Sequence, residues 1–279
     1  MISYTPEEIA LLQKLELSSC ELLIFPDGPL SPTTGATADD WKAAAGKFAE
    51  LGIEVSAIGS YTNHLDPHVE EAQRSLDHLA ALIEVAAYFQ CDTIGTFAGR
   101  DPELSIEQNI PGFKRAFGPL CTKAEDAGVR IAIENCPMFI GWPFRGINFA
   151  HTPAAWDLMF NAVDSPALGL EYDPSHLICQ MIDPLAVIEP YASKIFHAHA
   201  KDAEIVQENL NRYGIMDRAT ARHRMPGLGQ ADWPAIIAEL KRTGYTGNLD
   251  IEGRHDPEYK DDREEEGLQI AVEHLRLHV

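Results

Sequence analysis

The sequence predicts a parallel (β/α)8 TIM barrel, built as a single domain over residues 1–279. Short apolar runs rich in β-branched residues alternate with amphipathic helical patterns, and such alternation is typical of a parallel sheet. The alternative is a doubly wound open sheet, but no GxGxxG motif follows the first strong strand. Only Met1–Tyr4 precedes the first helix, so we expect the first strand to be very short or incomplete.

The individual elements follow from capping residues and from the spacing of apolar positions. Thr5–Glu8 is a capping box with proline at the first helical position, and Thr37–Asp40 opens the next helix. Helices show apolar residues three and four positions apart, whereas strands are short runs that stop at a turn residue. In chain order the predicted elements are a short strand in 1–4, helix 5–17, strand 21–25, helix 37–52, strand 53–58, a helix from 66, strand 93–97, a helix within 105–127, strand 129–134, a helix from 152, strand 168–173, a helix near 183–190, strand 195–199, a helix from 232, strand 248–252 and helix 261–277.

The composition disfavours several classes of partner and location. Lys and Arg total 22 against 43 Asp and Glu, a net charge of −21, which repels nucleic-acid phosphates and anionic membrane surfaces. The five cysteines contain no CxxC pair, as is typical of free thiols in a reducing cytoplasm. The N-terminus has acidic residues where a signal peptide needs positive charge, and no apolar run approaches the roughly 20 residues of a membrane span. We therefore expect a cytoplasmic protein without nucleic-acid or membrane partners.

Four successive predicted strands end in a side chain that can bind a metal ion. These residues are Glu134, Asp173, His199 and Glu252. In a parallel barrel the four side chains would all point into the mouth at the carboxyl ends of the strands. Three carboxylates and one imidazole form an oxygen-rich site that favours Mn²⁺, with Mg²⁺, Co²⁺ or Zn²⁺ also possible. The sequence therefore predicts one divalent metal ion at this position.

Glu134 and Glu252 are also the predicted catalytic residues. A divalent ion chelated by a ketone oxygen and an adjacent hydroxyl acidifies the neighbouring carbon-bound proton, which one glutamate can remove and the other can return. Proton return through a metal-stabilised enediolate gives a sugar isomerase or epimerase that acts on a keto-sugar or polyol ketone. Loss of a β-oxygen gives instead a lyase, such as an inosose-type dehydratase or a 3-keto-glycoside β-eliminase. A barrel that binds sugar and metal without turnover is a second alternative.

Three further polar residues lie two positions before a predicted ligand. Because strand residues alternate between faces, Glu171, His197 and Asp250 share the inward face of Asp173, His199 and Glu252, respectively. Buried polar groups need hydrogen-bond partners. We therefore expect Glu171, His197 and Asp250 to orient the ligands.

The motifs IEN, YDPSH, HAHAKD and IEG, found at 133–135, 172–176, 197–202 and 251–253, resemble those of the xylose-isomerase-like sugar phosphate isomerase/epimerase superfamily. The resemblance covers roughly residues 20–277 and implies the same four metal ligands and often a homo-oligomer. Keto-sugar 3-epimerases imply a substrate contact for His176, and inosose dehydratases imply one for Lys201. However, Ile140 stands where the 3-epimerases place a further glutamate.

Other residues near the predicted mouth are further candidates for the site. His64, Arg224 and Arg254 are candidate substrate contacts, and the stretch 203–230 is expected to cover the mouth. Trp142, Phe144 and Phe139 could wall a sugar ring, although core packing is the default role of aromatic residues. His223 falls where the apurinic-site endonucleases of this superfamily have a histidine, but Ala221 replaces its paired aspartate. A DNA-repair role is therefore not expected.

Overall fold

Parallel strands and helices alternate along the chain, as the sequence predicts. The computed structural model describes residues 1–140 and 145–279, apart from the side chains of residues 139, 140 and 145. Trp142 and Phe144 lie outside the described residues. The chain divides into two units, Met1–Glu171 and Tyr172–Val279. Among the described residues, no helix is both long and apolar enough to cross a membrane.

The first unit contains most of the parallel strands. Its elements are β1 (Ile2–Ser3), α1 (Pro6–Lys14), β2 (Ser19–Leu23), α2 (Ala38–Leu51), β3 (Glu54–Ser60), α3 (Val69–Val85), β4 (Thr93–Thr96), α4 (Ile106–Ala127), β5 (Arg130–Glu134), β6 (Phe139–Ile140), β7 (Arg145–Gly146), α5 (Pro153–Ala162) and β8 (Leu168–Tyr172), whose last residue begins the second unit. Strands β1, β2, β3, β4, β5 and β8 pair in this order and in parallel. Strands β6 and β7 form a separate antiparallel pair.

The second unit adds two parallel strands and an antiparallel ribbon. Its elements are α6 (Pro174–Cys179), α7 (Ile188–Tyr191), β9 (Ile195–Ala200), β10 (Asp202–Ile205), α8 (Gln207–Tyr213), β11 (Ala221–Arg224), α9 (Trp233–Arg242), β12 (Leu249–Ile251) and α10 (Glu264–Leu275). β9 and β12 pair in parallel, whereas β10 and β11 pair antiparallel. The described residues thus contain the eight parallel strands that were predicted, and the first has only two residues.

Capping residues account for most helix starts, with three differences from the prediction. Thr5 accepts a hydrogen bond from the Glu8 amide (3.2 Å), but the Glu8 carboxylate accepts from the Ser3 amide (2.6 Å) rather than from Thr5. Helix α6, which the sequence did not predict, follows Asp173 directly, because Asp173 caps it and Pro174 suits the first helical position. The predicted helix near 183–190 is shorter, since a 3₁₀ turn at Leu185–Val187 precedes α7.

Two histidines are buried in the first unit. His64 is 2% exposed, its Nε2 lies 2.9 Å from Thr96 Oγ1, and its ring stands edge-on to Phe117. Burial lowers the pKa of His64 from 6.5 to about 3. His78 donates from Nε2 to the Ile24 carbonyl (2.8 Å), and burial lowers its pKa as well. Both rings are therefore neutral parts of the core at neutral pH.

Asp202, at the start of β10, ties the ribbon to the beginning of α9. Its Oδ1 accepts hydrogen bonds from the amides of Ala203 (2.8 Å) and Ala231 (2.9 Å). Its Oδ2 accepts from the Gly227 amide (3.1 Å) and from Trp233 Nε1 (3.0 Å). One buried side chain thus satisfies four donors, which fixes the turn between β11 and α9.

We expect Asp202→Ala to lower the free energy of unfolding by about 3–5 kcal/mol, because it leaves several buried donors without an acceptor. The matched control is Asp232→Ala, which removes the single cap bond to the Ala235 amide (3.1 Å) at the start of α9. Loss of one cap should cost about 1 kcal/mol. Urea denaturation measures both values. Equal losses in the two variants would contradict the role given to Asp202.

We also expect the buried His64 to make the protein acid-sensitive. Its pKa is about 3 when folded and 6.5 when exposed, so between these values the unfolded chain binds the extra proton. Stability should therefore be full above pH 6.5 and fall as the pH decreases towards 3. Between pH 7.5 and 4.5 the wild type should lose about 2.7 kcal/mol more than His64→Gln, because the pH falls two units below 6.5 and each unit is worth about 1.36 kcal/mol. The control is His68→Gln, at a side chain that is 83% exposed, which should keep the wild-type slope.

Candidate metal centre

Three of the four predicted metal ligands lie together in the second unit. Asp173, His199 and Glu252 each place one ligand atom within 4.8 Å of those of the other two. All three side chains are buried, and His199 Nδ1 lies 3.7 Å from Glu252 Oε2. The structure therefore contains a possible metal-binding cluster.

The ends of neighbouring elements position these ligands. Asp173 directly follows β8, and its Oδ1 accepts a hydrogen bond from the Ser175 amide (2.7 Å) at the start of α6. His199 lies on β9 and pairs in register with Asp250 of β12. Glu252 is two positions beyond Asp250, so strand alternation gives both side chains the same face. The ligand positions thus follow from strand ends and strand register.

The surroundings of Glu252 suit a cation ligand. Its Oε1 accepts a hydrogen bond from Lys201 Nζ (2.8 Å) and lies 3.4 Å from His255 Nδ1. Burial alone would raise the pKa of Glu252, but the charge of Lys201 and the hydrogen bond from His255 hold it well below its usual value. Oε2 is buried, and no described residue forms a hydrogen bond with it. An ionised, buried carboxylate oxygen beside Asp173 and His199 fits a divalent cation.

The fourth predicted ligand, Glu134, lies in the first unit. It is the last residue of β5, is 5% exposed, and pairs in register with Glu171 of β8. Asp173 follows Glu171 by two positions in the sequence. Glu134 therefore ends β5 at the level of Glu171 on the neighbouring strand β8.

Asn148, a buried asparagine that was not predicted as a site residue, fixes the backbone around Glu134. The Asn148 amide nitrogen donates to the carbonyl oxygens of Glu134 (2.8 Å) and Cys136 (2.7 Å). Its side-chain oxygen accepts from the amides of Ala98 (3.1 Å) and Ala150 (3.4 Å). Asn148 thereby ties the end of β5 to the segment after β4. An asparagine between a strand and a helix cap carries no such signal in the sequence.

Tyr61 links two buried carboxyl groups of the first unit. Its hydroxyl is hydrogen-bonded to Glu21 and to Glu171 Oε2 (2.7 Å), and both glutamates are fully buried. Burial, reinforced by the charges of Glu171 and Glu21, raises the pKa of Tyr61 well above its usual value, so the phenol keeps its proton. A Cβ atom on Gly95 would lie 2.6 Å from Glu171 Oε1. Glycine at this strand position therefore makes room for the cluster.

The sequence predicted Glu171 as an inward-facing residue but missed Tyr61 and Glu21. The available signal was weak: Glu21 is the charged residue of an otherwise apolar strand, and glycines interrupt two strands at Gly59 and Gly95. A Cβ atom on Gly59 would overlap with the Glu21 carboxyl group. A buried charge opposite a strand glycine is therefore the pattern that would have indicated this cluster.

His197 and Asp250 form a buried pair in the second unit. His197 Nε2 lies 2.6 Å from Asp250 Oδ2, and the two residues are 2% and 3% exposed. The His197 ring stands edge-on to the His199 ring at 5.5 Å between centroids. Both residues thus face the interior next to a predicted ligand, where a hydrogen-bonded carboxylate fixes the orientation of an imidazole.

The predicted substrate contacts occupy different surroundings. His176 lies on α6, is 4% exposed, and places Nε2 3.3 Å from Asp173 Oδ2. Lys201 is 3% exposed and bonds Glu252, as described above. His176 and Lys201 are therefore next to predicted metal ligands, and His64 is packed in the core of the first unit.

Of the two candidate arginines, Arg224 has carboxylate partners outside the three clustered ligands. Arg224 donates from Nε to Asp256 Oδ2 (2.9 Å) and from a terminal nitrogen to Glu204 Oε1 (2.9 Å), so its guanidinium is held by two carboxylates. Arg254 is exposed and has a left-handed backbone with φ of 61°. The sequence could not indicate the partners of Arg224, because one is 20 and the other 32 positions away.

Two curated relatives match parts of the chain. The chain is 26% identical over 215 residues to a 3-dehydroshikimate dehydratase of Pseudomonas putida. The aligned stretch covers 73% of this chain and 30% of that protein. The chain is also 28% identical over 110 residues to an inosose dehydratase of Lacticaseibacillus casei. That aligned stretch covers 38% of this chain and 37% of that protein. The matches thus span about a third of the length of each relative.

Solved structures show the same fold. A crystal structure of IOLI protein with a bound zinc atom has a TM-score of 0.73 and 20% identity, covering 98% of this chain and 93% of that chain. A structure of L-ribulose 3-epimerase has a TM-score of 0.69 and 17% identity, covering 97% of this chain and 86% of that chain. The relatives named here thus include enzymes of two kinds, dehydratases and a sugar epimerase.

A family model described as the xylose isomerase-like TIM barrel matches residues 9–278. This match confirms the predicted (β/α)8 fold class and the resemblance that the four motifs indicate. The chain belongs to the xylose isomerase-like TIM barrel family.

Proposed function

We propose that this protein is a divalent-metal-dependent enzyme that removes a proton next to the carbonyl group of a keto-sugar or polyol ketone. The observation that carries the proposal is the buried cluster of Asp173, His199 and Glu252, in which Glu252 is held ionised by Lys201. Relatives named as dehydratases and as a sugar epimerase support this class of substrate. A cytoplasmic location and a homo-oligomer stay predictions from the sequence.

The metal site in this proposal consists of Glu134, Asp173, His199 and Glu252. The burial of Glu134 at the end of β5, and its register with Glu171, support it as the fourth ligand. Mn²⁺ is the proposed ion because three carboxylates and one imidazole form an oxygen-rich set, and the zinc in the IOLI structure keeps Zn²⁺ as an alternative. When bound, a divalent cation polarises the substrate carbonyl and acidifies the adjacent carbon.

Glu252 is the proposed base, since Lys201 and His255 fix its Oε1 and keep it ionised. The proton of the carbon next to the carbonyl passes to the Glu252 carboxylate. Glu134 is the proposed second acid–base group, which donates a proton either to carbon or to a departing hydroxyl. His176 and Lys201 are proposed to donate hydrogen bonds to substrate oxygens, because each is buried beside a proposed ligand.

Loss of water is the outcome that we favour, and epimerisation is the second candidate. Both curated relatives described above are named as dehydratases, and the one with the longer match covers 73% of this chain. Ile140 supplies no carboxylate where the sequence comparison with 3-epimerases expects one. The epimerase alternative rests on the paired glutamates, which can serve two faces of one carbon atom.

We expect Asp250→Asn to weaken Mn²⁺ binding about 10-fold to 100-fold, because it disturbs the hydrogen bond that orients His197 beside His199. Isothermal titration of metal-free protein measures the affinity. The control is Asp262→Asn at an exposed residue, which should bind Mn²⁺ like the wild type. Unchanged affinity in a folded Asp250→Asn variant would show that this pair does not support the metal site.

The reaction itself can be identified by NMR of candidate ketones in D₂O with the Mn²⁺-loaded protein. Solvent deuterium next to the ketone with an unchanged formula indicates an isomerase or epimerase, and loss of water indicates a dehydratase. Glu134→Gln and Glu252→Gln should each reduce turnover by about 10²-fold to 10⁴-fold, as expected for a lost acid–base group. The exposed Glu273→Gln serves as the control. No exchange with any ketone, or near-normal turnover in both glutamate variants, would refute the proposed mechanism.

A further inference from the structure

The hydroxyl group of Thr96 joins the ends of two neighbouring strands in the first unit. Thr96 ends β4 and pairs in register with Ser60, which ends β3. Its hydroxyl donates a hydrogen bond to the Ser60 carbonyl oxygen (2.6 Å), and His64 Nε2 lies 2.9 Å from the same hydroxyl oxygen. Thr96 is 0% exposed and His64 is 2% exposed. The end of β3 and the ring of His64 therefore contact one buried atom.

The proton of the Thr96 hydroxyl determines the tautomer of His64. A hydroxyl group has one proton to donate and a carbonyl oxygen can only accept, so the Thr96 proton is directed at Ser60. His64 Nε2 must then carry the proton that it donates to Thr96. Because burial lowers the pKa of His64 to about 3, the ring is neutral at pH 7 and has only this proton. His64 Nδ1 is therefore an unprotonated hydrogen-bond acceptor.

No described residue donates a hydrogen bond to this acceptor. His64 Nδ1 is buried, as are the hydroxyl oxygens of Ser60 and Thr62, and none of these atoms has a hydrogen-bond partner among the described residues. Buried polar atoms in folded proteins are almost always hydrogen-bonded, so several exceptions within one short segment indicate a bound polar group. That group must contain an O–H or N–H donor, because His64 Nδ1 can only accept.

The side chains of Ser60 and His64 face a helix and not the buried carboxyl groups. A Cβ atom on Gly59 would overlap with the Glu21 carboxyl group, so the next residue, Ser60, points to the opposite face of β3. The His64 ring stands edge-on to Phe117 of α4, with 5.5 Å between the ring centroids. The polar atoms that need a partner therefore lie between β3 and α4.

We propose that an internal water molecule is bound between β3 and α4, where it donates a hydrogen bond to His64 Nδ1 and pairs with the Ser60 or Thr62 hydroxyl group. Internal water typically forms about three hydrogen bonds with buried polar groups that have no other partner. Water suits this segment because it supplies the donor that Nδ1 needs, and because a hydroxyl group can either donate to it or accept from it. The site belongs to the folded chain and does not depend on the proposed function.

The first test is ¹⁵N NMR of the histidine side chains in the substrate-free wild type at pH 7. We expect His64 to carry its proton on Nε2, and we expect its Nδ1 resonance to be shifted from that of an unbonded ring nitrogen towards that of a hydrogen-bonded acceptor. His78, whose Nε2 donates to the Ile24 carbonyl (2.8 Å), is the reference for this tautomer in the same spectrum. A proton on His64 Nδ1, or a resonance at the position of an unbonded nitrogen, would overturn the inference.

The second test counts long-lived internal water molecules by magnetic relaxation dispersion of the water oxygen in substrate-free protein. We expect His64→Phe, which keeps a ring beside Phe117 but removes the acceptor, to lower the number by at least one. The control is His68→Phe, at a side chain that is 83% exposed, which should keep the wild-type number. Equal numbers in the wild type and in His64→Phe would overturn the inference and leave a substrate hydroxyl as the donor to Nδ1.

A crystal structure of the wild type decides the matter if His64→Phe does not fold. We expect a water oxygen within about 3.2 Å of His64 Nδ1 and within reach of the Ser60 or Thr62 hydroxyl. A protein atom in that place, or no atom at all, would contradict the proposal.

Discussion

The buried ion pair between Lys201 and Glu252 is the interaction on which the candidate site depends. Both side chains are less than a tenth exposed, and their charged groups are 2.8 Å apart. Removing two charges from water is costly, and such a pair often contributes little to stability. Here it keeps Glu252 ionised and fixes one of its oxygens, while the other is left among Asp173 and His199. The pair is therefore better explained by chemistry at the site than by stability.

In the first unit, buried polar groups occupy space that strand glycines provide. Glu21, Tyr61 and Glu171 fit between strands only because Gly59 and Gly95 have no Cβ atoms. Glycine has a low propensity for strands. Its presence beside the Glu21 and Glu171 carboxyl groups is explained by the space that these groups need. The choice of residues in the interior of this unit thus depends on room for buried carboxyl groups as well as on apolar packing.

The sequence predicted the parallel strands and the ends at which Glu134, Asp173, His199 and Glu252 lie, because strand periodicity and turn residues are local properties. It missed α6, since six residues after Asp173 are too few to show a helical period. It also could not predict that Asn148 bonds Glu134 and Ala98, or that Arg224 bonds Glu204 and Asp256, because these partners lie 14 to 50 positions away in the chain. These contacts depend on how the strands come together, and no local pattern encodes them.

Asp173 is both the cap of helix α6 and a proposed metal ligand. One of its oxygens holds the first turn of α6 and the other lies beside His176, which that same helix carries. A cation bound to Asp173 would draw negative charge from the carboxylate and so change the strength of the hydrogen bond that caps α6. The occupancy of the centre and the amide protection of residues 175–179 should accordingly be coupled, so that hydrogen exchange in one short helix reports on the chemistry of the whole site.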